Sequence, residues 1–114
     1  MIEPRADRKA KPEPGALKIV TQYWRGRIRV CEFEAAGAHL DLHISRDEAA
    51  STWCIEARSG RAANAPTFAE SGSTRAAALS AVGRTWVSRA AALGLGVFDW
   101  DAVATALRSV GALD

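Results

Sequence analysis

His39, Asp41 and His43 are the local set of metal-ligating residue types in this 114-residue chain. On a strand all three would point the same way, about 7 Å from one to the next, so two of them could share an ion. The chain holds no other histidine to complete a shell. The plainer reading is the solvated face of a half-exposed strand. Nucleophilic chemistry finds less. A Ser-His-Asp or Cys-His site needs its nucleophile on a sharp turn with a base in reach. Ser71-Gly72-Ser73 reads instead as loop ending in a helix cap, and Cys31 and Cys54 lie inside strand-like runs, where burial would raise a thiol's pKa. Gly94-x-Gly96 lacks the third glycine and the lysine of a phosphate-cradling loop. With no catalytic constellation and no cofactor motif, the expectation is a protein that is not an enzyme and holds no cofactor.

The segment most suggestive of binding is Tyr23-Trp24-Arg25-Gly26-Arg27-Ile28-Arg29. Three arginines spaced by two can contact successive phosphates, and Trp24 or Tyr23 can stack a base. The plainer alternative is that these arginines are the wet face of an edge hairpin, blunting it against aggregation, or that they pair with Glu32 and Glu34. Trp24, beside a turn, is the tryptophan expected to be exposed.

Elements of two kinds must position these residues. Residues 1–16 carry Pro4, Pro12 and Pro14 with Gly15 and interleaved charges, a composition that predicts a disordered basic arm. Residues 17–114 predict a single α+β domain: a sheet over 17–70 and helices over 74–93 and 99–110. Leu17–Trp24 and Arg27–Glu34 are rich in β-branched and aromatic residues and read as a hairpin, with Gly26 supplying the positive φ of a type I turn with a G1 bulge. The first of these runs is apolar on both sides, so its buried face stays open. Leu40, Leu42 and Ile44 alternate with His39, Asp41 and His43, and Trp53, Ile55 and Ala57 form the inner face of a fourth strand. A short fifth strand around Thr67-Phe68-Ala69 is an option.

The period then changes to that of a helix. Leu79, Val82, Trp86, Ala90 and Leu93 make one apolar stripe, with Ser73 or Thr74 as N-cap and Gly94 as stop. Asp99 is the N-cap expected for the last helix, with Phe98 and Val103 as a hydrophobic staple and Trp100, Leu107 and Val110 continuing its face. The fold class that follows is an antiparallel sheet of four or five strands, one face covered by the first helix and the second helix at an edge.

The charge is uneven. Residues 1–30 hold eight of the fifteen Lys and Arg against three acids, and the remainder holds seven against ten. Such asymmetry favours an acidic partner, nucleic acid among them. No apolar run reaches the roughly 20 residues of a bilayer span, and the N-terminus carries no secretory pattern. No membrane association and a cytoplasmic location are therefore expected, with Cys31 and Cys54 reduced.

Two nucleic-acid families are testable by residue. Arg25-Gly26 with Val30 resembles the start of the RNP1 signature of RNA-recognition motifs, but Arg27, Arg29 and Glu32 stand where that motif needs aromatics. Three strands followed by a helix resemble the C-terminal part of a double-stranded-RNA-binding domain, without its lysine cluster at the helix start. The run Trp53-Cys54-Ile55-Glu56 with Phe68–Leu79 resembles small bacterial domains of unknown function in which a Trp-containing strand leads to a capped, alanine-rich helix. That resemblance implies a fold and no activity. Twenty-four alanines, and twelve arginines to three lysines, agree with a GC-rich bacterial genome. The leading reading is a non-enzymatic module that binds a protein partner or a second copy of itself. The alternatives are nucleic-acid binding through the arm and Tyr23, Trp24, Arg25, Arg27 and Arg29, and a metal-dependent activity at His39, Asp41 and His43.

Overall fold

The computed structural model describes residues 17–35, 37–60, 62 and 64–113; the arm expected over 1–16 lies outside the described residues. The elements in chain order are β1 (Leu17–Arg25), β2 (Ile28–Ala35), β3 (Ala38–Asp47), β4 (Thr52–Arg58), β5 (Thr67–Gly72), α1 (Arg75–Leu93) and α2 (Trp100–Ser109). The strands form one antiparallel meander in the order β1-β2-β3-β4-β5, and the fold is α+β. The fifth strand is complete, paired with β4 from Trp53 opposite Gly72 to Arg58 opposite Thr67. Its sequence signal is faint because an edge strand needs few inward anchors, and here Phe68 is the buried one.

The first hairpin differs in detail from the expected turn. Arg25 pairs with Ile28, which leaves a two-residue loop of Gly26 and Arg27. Positive φ occurs at Gly26 (61°) and not at Arg27, the pattern of a type II′ turn rather than a type I turn with a bulge. The bulge sits elsewhere in the strand. Ile19 opposes Phe33 and Thr21 opposes Glu32, so Val20 is the extra residue. A bulge of one residue moves every later side chain to the other face. Leu17 and Ile19 therefore pack on the core, whereas Thr21 and Tyr23 lie on the face away from the helices, and that is why β1 reads as apolar on both sides.

Both helices cover the same sheet face. α1 lies on β4 and β5, and α2 packs on α1 and reaches β1. Thr74 caps α1 by accepting a hydrogen bond from the Ala77 amide at 3.0 Å. Asp99 caps α2 by accepting from the Asp101 and Ala102 amides at 3.1 and 3.2 Å. The buried stripe of α1 runs through Leu79, Val82, Trp86 and Ala90, but Leu93 is 45% exposed. The left-handed turn at Gly94 directs the chain back, with the Leu95 amide bonded to the Ala90 carbonyl, and Leu95 packs on the core where Leu93 was expected.

Trp86 organises that core. Its ring meets Phe68 at 5.5 Å and Phe98 at 5.6 Å, both edge-on, and its indole N–H donates to the Gly96 carbonyl at 2.9 Å. Edge-to-face pairs of this kind add to the area they bury, and the bonded N–H removes the cost of sealing a donor in the interior. Gly83 is the small residue that admits α2, since a Cβ there would lie 3.1 Å from the Trp100 ring.

Candidate functional site

The β1 bulge and the pleat divide the chemistry-bearing residues between two faces. On the helix-bearing side, at the end of the sheet where β1, β3 and β4 meet the start of α1, lies a groove of about 400 Å³. Trp24, Arg27, Arg29, Arg46, Trp53 and Arg75 line it, with Glu48 as its acid. Four guanidinium groups against one carboxylate make the groove strongly positive. Three of the arginines stack on aromatic rings. Arg29 lies 5.3 Å from the Trp24 centroid, and Arg46 and Arg75 lie 5.3 and 5.2 Å from that of Trp53. The register explains the second cluster. Arg46 opposes Trp53 across β3 and β4, and Gly72, which opposes Trp53 on β5, places no side chain there, so Arg75 can come over from α1. Arg75 also sits in the first turn of a helix with no acid in that turn, where the macrodipole disfavours a cation and favours an anion.

Of the residues singled out in the sequence, Trp24, Arg27 and Arg29 gather in this groove. Tyr23 and Arg25 line a separate hollow on the opposite face. Trp24 is exposed, at 63%. Arg27 approaches Glu48 at 3.8 Å, but both side chains are largely solvated, and such pairs contribute little. Glu34 lies 3.9 Å from His39 Nδ1. Arg29 is tied down: its Nη2 donates to Gln22 Oε1 at 2.6 Å and to the Val110 carbonyl at 2.8 Å. Val110 caps the C-terminal end of α2, so Arg29 fastens that helix to β1 and β2. Arg46, Trp53 and Arg75 were missed by sequence reasoning. The only signal that could have found them is the expected pairing of β3 with β4, which places Arg46 beside Trp53.

The helix-free face carries His39, Asp41 and His43, together with Glu32 and Glu34 of β2 and Glu56 and Arg58 of β4. The expectation of a plainly solvated face fails here. Asp41 and Glu32 are each only 5% exposed, and Val30 is fully buried. His39 Nε2 lies 2.8 Å from Asp41 Oδ1, while His43 turns its Nδ1 towards Glu56 at 3.8 Å. Cys31 and Cys54 are both free thiols. Burial pushes the Cys31 thiol above its ordinary pKa, against an opposing pull from the Arg29 charge and hydrogen bond, which leaves it a poor nucleophile.

A larger hollow of about 700 Å³ lies on the outer side of the helices, lined by Leu79, Gly83, Val87, Trp100 and Ala104 with Arg84, Asp101 and Arg108 at its margins. No helix among the described residues is long and apolar enough to cross a membrane. No family model, curated protein or solved structure matches the chain.

Proposed function

We propose that this protein is a non-enzymatic binding module whose ligand is single-stranded nucleic acid, held in the Arg27–Arg46–Arg75 groove. The observation that supports this reading is the convergence of four arginines on two tryptophans around a groove of about 400 Å³, within the roughly 300–1,000 Å³ range of ligand sites. Guanidinium groups meet phosphate oxygens, and an exposed indole offers a face to a base with little regard to sequence. Arg27 and Arg46, both exposed, are the phosphate contacts of this reading, because Arg29 already serves the α2 terminus.

The test is fluorescence anisotropy of a labelled oligothymidylate at 50 and 200 mM salt. Two phosphate contacts on a single strand correspond to a log–log slope of about −1.4, a loss of roughly sevenfold in affinity over that range. The Arg27→Ala/Arg46→Ala variant flattens the slope, and Trp24→Ala weakens binding without changing it. Absence of binding at 50 mM salt, or a slope untouched by the double variant, overturns the reading.

A protein partner is the second reading, favoured by the cleft between α1 and α2, where Val87 is 63% exposed. Self-association through the β1 edge belongs with it, supported by the exposed Val20, Tyr23 and Trp24. Sedimentation of the purified chain separates self-association from capture of a different protein. A cytoplasmic, bacterial setting is part of the same proposal and rests on composition.

A further inference from the structure

On the sheet face opposite the groove, Glu32, His39 and Asp41 bring one ligand atom each to within 4.8 Å of the others. Glu32 and Asp41 oppose each other across β2 and β3, and His39, two residues before Asp41, shares their face. Like charges placed directly across a sheet repel, and burial leaves this pair little water to screen it. Arg58 stands opposite Asp41 on β4, and its Nη2 donates to the Ala62 carbonyl at 3.2 Å.

The Asp41 side chain is 7% exposed, yet its Oδ1 has no hydrogen-bond partner, and neither does His39 Nε2. The two atoms are 2.8 Å apart, so the separation suits a hydrogen bond and only the angle is wrong. Ligand atoms on adjacent corners of an octahedron with bonds of about 2.1 Å lie about 3.0 Å apart, and each points at the shared centre instead of at its neighbour.

We infer that Glu32, His39 and Asp41 bind a divalent first-row transition ion, with His39 Nε2 and Asp41 Oδ1 as adjacent ligands. One imidazole nitrogen and two carboxylates suit zinc, cobalt or manganese, whereas magnesium and calcium favour all-oxygen sets. The adjoining hollow of about 530 Å³, bounded by Tyr23, Arg25 and His43, provides an entry path and room for water on the remaining positions. His43 is excluded from the set because it faces Glu56. The inference is independent of the nucleic-acid reading, which concerns the other face.

Equilibrium dialysis of the chelator-treated full chain against Zn²⁺ tests it, with Co²⁺ as a spectroscopic probe. The expected result is one ion per chain, retained in excess Mg²⁺ and Ca²⁺, with visible cobalt bands and a melting temperature that rises with Zn²⁺ concentration. Asp41→Asn and His39→Gln each lower the affinity at least tenfold and abolish the cobalt bands, and His43→Gln leaves both unchanged. Should circular dichroism show Asp41→Asn unfolded, His39→Gln decides, since His39 is partly exposed and glutamine is of similar size. The inference is overturned if wild type takes up no stoichiometric ion, or if His39→Gln binds as wild type does.

Discussion

Arg29→Ala is the substitution that most sharply separates a structural arginine from a binding one. The residue makes a charged hydrogen bond to the terminal carbonyl of α2, a second to Gln22 on the exposed edge, and a stack on Trp24. Hydrogen bonds to a charged group contribute about 1.5–3 kcal/mol, and a cation–π contact at an exposed ring about 0.5–1 kcal/mol. The α2 dipole adds in the same direction, since a cation beside its C-terminus is favoured. Releasing the rotamers of a long side chain offsets part of this, so the net loss is about 2–3 kcal/mol. In a domain of about a hundred residues each kcal/mol lowers the melting temperature by about 4–8 °C. Urea unfolding should show a lower midpoint at unchanged slope, the mark of lost stability without a changed unfolded state. Arg25→Ala, exposed and on the opposite face, should stay within about 0.5 kcal/mol of wild type. If the two variants are equally stable, the tether between Arg29 and α2 is not formed. A further consequence concerns binding assays: replacing Arg25, Arg27 and Arg29 together mixes stability with recognition, whereas replacing Arg27 and Arg46 leaves the α2 tether intact and gives up only the Arg46 stack on Trp53 and a solvated contact with Glu48.

Further predictions address the scaffold. Asp99→Ala removes the oxygen that caps two amides of α2 and should cost about 1 kcal/mol by urea titration. Gly83→Ala gains helix propensity but presses a Cβ to 3.1 Å from the Trp100 ring; overpacking costs about 1–3 kcal/mol against a gain of about 1, so calorimetry should show a neutral to destabilised protein. Ser51 holds a left-handed φ of 55° in the β3–β4 loop, and Ser51→Gly should raise the melting temperature through relief of about 0.5–1 kcal/mol. The Cys31 pKa is raised in the folded state, chiefly by burial. The stability this group contributes is therefore intact below its ordinary value near 9 and falls as pH climbs towards the folded value. Cys31→Ala should flatten that alkaline decline, and a thiol reagent should modify Cys54 before Cys31 in the native protein.

The α+β class was legible because its signals are local. Alternation over 40–44 and 53–57, the stripe from Leu79 to Ala90, and the caps at Thr74 and Asp99 each depend on residues a few positions apart. Trp24, placed beside a turn, was expected to be exposed for an equally local reason, and it is. The bulge at Val20 escaped because its cause lies in the partner strand, and with it went the faces of Tyr23 and Arg25. The fifth strand was faint because it leans on β4 for its pairing. Both candidate sites are long-range constructions. The groove joins Arg27 and Arg29 to Arg46, Trp53 and Arg75, drawn from four separate elements, and the carboxylate of Glu32 meets Asp41 only through the β2–β3 register. Residue types and local periods are written along the chain, and they suffice for helices, strands and caps. Which side chains converge from distant segments depends on register, bulges and the docking of α1 and α2, and those are settled by burying one shared core.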